Sequence, residues 1–311
     1  MNETNQTWVT EFFLLGLSDD PQTQLLLFAL FLVVYLSTVL GNLLLTSLVL
    51  LDSQLHTPMY FFLCNLSLTD LCFSTTTVPQ SLIHMLSRRK LISFTGCAGQ
   101  VLFFLFFGST QCVLLGVMSY DRYLAICDPM HYPLIMTWKV CGLLALGCWF
   151  AGFVASLVDS IFILSLPYQG DNQIAHFFCE APALLVLASA DTRSTNMVIF
   201  LMGAIIIVTP MFLILISYVC IIISVIRMKT ASGRLKAFST CGSHLTVVII
   251  FYGSAIIKYM TPKSSKDLGK VISVFYAVIS PMLNPLIYSL RNNDVKRAFR
   301  NVVNSRPFCR I

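Results

Sequence analysis

Charge is what this chain has least of. Only 11% of its 311 residues are charged, 57% are hydrophobic, and the mean hydropathy is +0.80. A soluble domain ordinarily carries about 25% charged residues. A globule of this length could not be covered by so little charge, which excludes a soluble two-domain enzyme. Disorder, which needs low hydrophobicity and high charge, is excluded more firmly. Other absences narrow the field. There is no HExxH or GxSxG, and Tyr120-Asp121 has no GxGD partner, so no catalytic constellation, metal site or nucleotide site has support. No internal repeat is apparent, which argues against a transporter built from inverted halves. The net charge of +6 comes from short basic clusters between apolar runs, so no nucleic-acid partner is expected. Residues 1–20 hold no Lys or Arg, and the start is polar and acidic. No cleavable signal peptide is therefore expected, and the first apolar span is read as its own insertion signal.

What is there is apolar length. A helix crosses a bilayer with ~20 mostly apolar residues. Residues 21–51, 91–120, 140–158, 194–226, 237–257 and 271–290 carry no Asp, Glu, Lys or Arg. A seventh span lies between Pro58 and Leu86, interrupted by Asp70 and His84. Seven spans put the termini on opposite sides. Two glycosylation sequons, at Asn2 and Asn5, place the N-terminus outside. A third, at Asn65, lies inside span two and should be silent. With this choice 12 Lys/Arg fall inside and eight outside, a modest agreement with the positive-inside rule. After Arg291, the residues Val295, Ala298, Phe299, Val302 and Val303 follow helical spacing, with Lys296, Arg297 and Arg300 between them. This predicts a short amphipathic helix on the inner surface, where acidic lipids would attract it. The fold class is all-α membrane protein: a seven-transmembrane helix bundle with a short amphipathic C-terminal helix. It is read as one domain over 1–311, with 1–21 extracellular, 22–290 the bundle, and 291–311 cytoplasmic helix and tail.

An ionisable residue within a span defaults to a functional hypothesis. Asp70, at the middle of span two, needs partners. Asn42 in span one and Asn284 in span seven are the strong hydrogen-bonding groups at that depth. Two readings stand: a cation or water site, or a polar network that fixes packing. Asp121 and Arg122 end span three as an adjacent pair, read either as a latch or as an interface anchor. Phased from Arg122, Gln111 and Phe104 fall on one stripe, with Gly108, Cys112 and Leu115 on or near it. Phe104 is then ~27 Å from Arg122 along the helix. An apolar stripe without rings of charge suits a signal relay better than a pore. Pro79, Pro210, Pro281 and Pro285 interrupt spans, and proline kinks a helix by removing a hydrogen bond. Asn284, between two prolines, could bond the freed carbonyls. Of 11 cysteines, only Cys97 and Cys179 fall where the outer, oxidising side reaches them. A disulfide between them is expected to pin the long outer loop, about 163–195. Cys309 is a candidate for palmitoylation.

These residues together resemble the rhodopsin-like G-protein-coupled receptors, and within them the olfactory receptors. Gly41-Asn42 is similar to the receptor GN motif. Residues 58–67, PMYFFLCNLS, resemble the olfactory PMYFFLxxLS segment, and residues 118–127, MSYDRYLAIC, resemble MAYDRYVAIC. Ser217-Tyr218 ends span five as the family does. Residues 236–245 are similar to KAFSTCxSHL, and residues 281–292 to PMLNPxIYSLRN. The resemblance covers nearly the whole chain.

The resemblance implies a plasma-membrane receptor, not an enzyme, that binds a small odorant between spans three, five, six and seven. Binding would shift span six at its inner end. A stimulatory olfactory-type heterotrimeric G protein would then dock at Asp121, Arg122 and Tyr123, raising cyclic AMP. Lys236 to His244 would move with span six, Tyr218 and Tyr288 would rearrange with Arg122, and Asn284-Pro285 would act as a pivot. By phase and depth the ligand candidates are Phe104, Leu105, Gly108, Ser109 and Cys112 on span three. Span five adds Met202 and Ile206, span six Phe251, Tyr252, Ala255 and Tyr259, and span seven Ser273 and Ala277. These suit a mostly apolar ligand held by burial and one hydrogen bond. No cofactor is expected beyond a cation near Asp70. Gln111 stands where many relatives carry a carboxylate, which weakens that cation site. Gln169 and Ser189 stand where relatives carry cysteines, as if one whole disulfide were lost. Asp159 stands where many carry histidine, and facing the cavity it would favour a cationic or donor ligand.

Overall fold

The computed structural model describes residues 9–87, 89–170, 172–228, 230–260 and 266–304. The sequons at Asn2 and Asn5 and the thiol of Cys309 lie outside them, as do the side chains of Lys236 and Tyr259.

Four long helices come first: α1 (Pro21–Leu51), α2 (Pro58–Leu86), α3 (Phe94–Cys127) and α4 (Trp138–Leu164). Local chemistry sets their starts. Asp20 caps α1 by accepting the Thr23 amide at 2.8 Å, followed by Pro21 in the first turn. Ser93 caps α3 by accepting the Gly96 amide, and Thr137 caps α4 through Val140. Helix α5 runs Arg193–Gly203, passes through a π-helical turn at Ala204–Val208, and continues as Thr209–Arg227. Helix α6 is Ala231–Met260. Helix α7 runs Lys266–Val274, through a π turn at Phe275–Ile279, to Ser280–Arg291. Each π turn ends just before a proline-bearing segment, at Pro210 and Pro281. A widened turn is how a helix accommodates the amide that proline lacks.

Six of these helices are long and apolar enough to cross a membrane by composition. Helix α2 is the seventh member. Its 29 residues are long enough, but its polar content lowers its hydropathy. Those polar residues point inward: Ser67, Thr69, Asp70, Ser74, Thr77 and Ser81 are all buried. Helices α1 and α5 show the opposite pattern, with only 17% of the most apolar stretch buried in each. In water such exposure would be untenable, and it identifies lipid as the solvent. Helix α3 is the central strut, packed against α2, α4 and α5. It crosses α4 so closely that a Cβ on Gly152 would stand 2.2 Å from Thr110 Oγ1.

The final helix, α8 (Asn293–Asn304), follows α7 directly. Val295 and Ala298 are buried against the bundle, whereas Phe299 is exposed. At the opposite end lies an unanticipated sheet. Strand β1 (Glu11–Leu14) pairs antiparallel with β2 (Leu91–Ser93) and parallel with β3 (Gln173–Ile174). The N-terminal segment is therefore woven into the loops between spans. Phe12 and Leu14, each 1% exposed, plug that end. Cys97 and Cys179 are joined in a disulfide with Cα atoms 5.5 Å apart, on the same side as the sheet. This side is called the disulfide end, and the other the Arg122 end.

Candidate functional site

Three groups of polar side chains run through the bundle. The middle one centres on Asp70. Its Oδ1 accepts from Gln111 Nε2 at 2.9 Å and from Asn284 at 3.0 Å, and its Oδ2 accepts from Asn284 at 2.9 Å. One carboxylate thereby ties α2, α3 and α7. Asn42 does not reach Asp70. Its amide donates to the Thr38 carbonyl at 3.0 Å and the Pro281 carbonyl at 3.2 Å. The reason lies in helix geometry: Pro285 has no N–H, so the carbonyl four residues earlier, Pro281, loses its helical donor. Asn42, not Asn284, supplies the replacement. Gly41 makes room for it, since a Cβ there would stand 3.1 Å from Pro285 Cγ.

At the Arg122 end, Asp121 and Arg122 form no ion pair within 4.0 Å among the described residues. Tyr132, on a short helical turn after α3, instead donates to Asp121 at 2.8 Å. Neighbours on one helix point about 100° apart, so the two side chains diverge. Arg122 is buried, and its charge acts on Tyr60, Tyr218, His244 and Tyr288. The Tyr218 hydroxyl lies 2.7 Å from His244 Nδ1 and 3.2 Å from the Cys241 carbonyl, joining α5 to α6. The rings of Tyr218 and His244 stack at 8°. The buried Tyr288 hydroxyl has no hydrogen-bond partner among the described residues. Tyr123 stacks on Tyr120 in the neighbouring core.

The third group, at the disulfide end, gave no sign in the sequence. Glu180 follows the disulfide directly and is buried. Lys258 of α6 donates to its Oε2 at 2.9 Å, to Ser273 Oγ at 2.7 Å and to the Gly269 carbonyl at 3.3 Å. Tyr276 of α7 donates to Glu180 Oε1, and His176 Nε2 lies 3.2 Å from Oε2. Loop, α6 and α7 thus meet on one carboxylate. Burial pushes the His176 pKa down to about 4, against the attraction of Glu180. Burial alone would raise Glu180, but neighbouring charge and the bonds from Tyr276 and Lys258 outweigh it and hold it below its usual value. With His176 neutral at pH 7, Lys258 is the cation that matters.

The ligand candidates divide between two regions. Phe104, Gly108 and Ala277 face α2 and α7. The Phe104 ring lies 4.5 Å from Phe73, 5.0 Å from Phe178 and 5.9 Å from Tyr276, an aromatic plug beneath the loop. A Cβ on Gly108 would touch the Phe73 ring at 3.4 Å. Leu105 packs into the loop core instead, and Ser273 belongs to the Lys258 cluster. The second region lies between α3, α4, α5 and α6. Cys112, Ala155 and Ile206 pack there with Met202 and Phe251. Tyr252 donates to the Cys112 carbonyl at 3.0 Å, tying α6 to α3. Ser109 and Ala255 are half-buried. Asp159, one turn beyond Ala155, is 9% exposed, and its Oδ1 has no hydrogen-bond partner among the described residues.

Comparison with known proteins supplies the family. Residues 31–306 match the family described as Olfactory receptor. The chain is 69% identical to human Olfactory receptor 2D2, over 97% of this chain and 98% of that protein. It is 49% identical to mouse Olfactory receptor 5AR1, over 99% of this chain and the whole of that one. It is 50% identical to rat Olfactory receptor 1f45, over 98% of each. A seven-helix membrane bundle closed by one disulfide, matched almost end to end, is an odorant-binding receptor that works through a G protein and not an enzyme: the chain belongs to the olfactory receptor family.

Proposed function

We propose that the odorant is small and mostly apolar and binds between α3, α4, α5 and α6, against Cys112, Met202, Ile206 and Phe251. The observation that carries this reading is Asp159 Oδ1, which has no hydrogen-bond partner among the described residues and stands one helical turn from Ala155 of that apolar group. A buried polar atom without a partner is costly, and a ligand carrying a hydrogen-bond donor would relieve it. The Tyr252–Cys112 bond beneath supplies the lever. A molecule wedged above it separates α6 from α3, and the motion passes down α6 to His244 and Tyr218 beside Arg122. Phe104, Leu105, Gly108, Ser273 and Ala277 then act through the aromatic plug and the Glu180–Lys258 cluster above.

The partner in this reading is a stimulatory olfactory-type G protein, docking at Asp121, Arg122 and Tyr123 and raising cyclic AMP. The N-terminus is extracellular and the chain sits in the plasma membrane, with α8 on inner-leaflet lipids. Two sequons and the lack of Lys or Arg over residues 1–20 support this. No cofactor is required. A cation near Asp70 would compete with amide donors that already serve the carboxylate.

A broad odorant panel in a cyclic-AMP reporter line tests the whole reading. The wild type responds to a subset, Arg122→Ala responds to none at equal surface expression, and Asp159→Asn loses donor-bearing ligands first. An unchanged panel for Asp159→Asn would overturn the site, and intact signalling by Arg122→Ala would overturn the relay.

A further inference from the structure

Four acidic side chains are buried among the described residues: Asp70, Asp121, Asp159 and Glu180. Three of them are served by donors. Asp70 has the amides of Gln111 and Asn284, Asp121 has the Tyr132 hydroxyl, and Glu180 has Lys258 and Tyr276. Asp159 is the exception. Among the described residues it joins no ion pair within 4.0 Å, and no donor reaches its Oδ1.

Helix spacing builds its setting. Ser156, Asp159 and Ser160 stand at i, i+3 and i+4 of α4, and residues so spaced share one helix face. All three are buried. The Ser156 hydroxyl donates to the Phe153 carbonyl at 2.9 Å, which leaves its oxygen able to accept. Ser160 Oγ has no hydrogen-bond partner among the described residues. Ala155, four residues before Asp159, packs with Cys112 and Ile206, and Met202 and Phe251 lie against that group. One face of α4 thus carries a carboxylate and two hydroxyls a turn away from apolar side chains of α3, α5 and α6.

Charge selects among the molecules that could meet this face. A buried carboxylate is costly unless a cation and hydrogen bonds compensate it. A neutral alcohol supplies one bond and leaves the charge standing. A carboxylic acid, ionised at neutral pH, adds a second negative charge. A primary ammonium brings both the opposite charge and three N–H donors, as many as there are acceptor side chains on the face. A hydrocarbon chain behind it suits the apolar group.

We propose that the ligands of this receptor are small primary alkylamines, held as ammonium ions on Asp159 with the chain among Cys112, Met202, Ile206 and Phe251. The proposal rests on the odorant site described above and narrows its occupant from any donor-bearing molecule to a cation.

The test melts the full-length receptor in nanodiscs at neutral pH with hexylamine, n-hexanol, hexanoic acid or hexyltrimethylammonium. The concentration dependence of the melting shift gives each affinity and needs no G protein. Hexylamine should bind about 10- to 100-fold more tightly than n-hexanol, the range that a hydrogen bond to a charged group supplies. Hexyltrimethylammonium, which has the charge without the N–H donors, should fall between them, and hexanoic acid should bind most weakly. Asp159→Asn should level hexylamine with n-hexanol, and Asp159→Glu should keep the amine preference. No shift with hexylamine, equal binding of hexylamine and n-hexanol by the wild type, or an amine preference that survives Asp159→Asn would overturn the proposal. Ile206→Trp, which crowds the apolar group, then separates the causes. If it weakens whichever ligands do bind, the site stands and the amine alone is wrong; if it leaves them unchanged, the site is wrong as well. Where a variant fails to fold, the wild-type series decides.

Discussion

At the disulfide end, segments far apart in the chain are fastened to one another. Strand β1 joins two loops, the disulfide joins α3 to the long loop, and Glu180 is held by α6 and α7. Among the described residues, the Arg122 end is joined by fewer bonds. Tyr132 holds Asp121, Tyr218 holds His244, Asn292 holds Tyr60 at 2.8 Å, and the Tyr288 hydroxyl has no partner among the described residues. One end is therefore tied across many segments, and the other is tied by fewer bonds around the buried Arg122. Under the proposed function, a ligand wedged below that fastened roof would displace the helices most at the far end.

Breaking the roof is the harshest test of the contrast. Lys258→Met leaves Glu180 buried without its cation, and losing one partner of a buried pair costs ~3–5 kcal/mol. Melting in nanodiscs should show that loss, and Lys258→Met with Glu180→Leu should recover most of it. Acid probes the same cluster more gently. The folded pKa of His176 lies below its unfolded value, so the stability it contributes is complete above pH 6.5 and fades as pH falls toward about 4. The loss is on the order of 2–3 kcal/mol, and Glu180, also depressed, gives way only at lower pH. His176→Gln should flatten the melting-temperature profile between pH 7 and 5. At mid-depth, Asn42→Ala strands the Pro281 carbonyl and should cost ~1–3 kcal/mol, with a melting shift and altered basal cyclic AMP as α7 loosens at its kink.

The smallest expected effect concerns the loop. Ser189 Oγ donates to the Gln169 carbonyl at 3.2 Å, and Tyr168 pairs with Ala188. The two positions where the resemblance implied cysteines still lie together, joined by a hydrogen bond. Gln169→Cys with Ser189→Cys should form a bridge, seen as a mass loss of two hydrogens. It should gain less than the ~3 kcal/mol such a loop allows, because the ends are already held.

The spans were legible because charge is so scarce that its gaps mark the membrane. The Cys97–Cys179 bond followed from which thiols can reach the oxidising side. Asp70 was legible as a group in need of partners, though proximity in depth did not separate Asn284 from Asn42. The i−4 rule for proline would have separated them, since Pro285 names Pro281 as the orphaned carbonyl. The Glu180 cluster had no such signal. Its members stand 78 and 96 residues apart, and only the closed fold brings a loop acid against α6 and α7. Strand β1, four residues long, is too short for alternation to announce. The phase of α3 placed Phe104 inward without revealing that it faces the aromatic plug and not α5.

Hydrogen–deuterium exchange of the full-length receptor in nanodiscs, with and without its most potent odorant, tests the asymmetry most directly. The account predicts faster exchange around residues 218–228 and 241–248 on ligand binding, with residues 173–184 unchanged or slower. Faster exchange confined to 173–184, with no change beside Arg122, would contradict it.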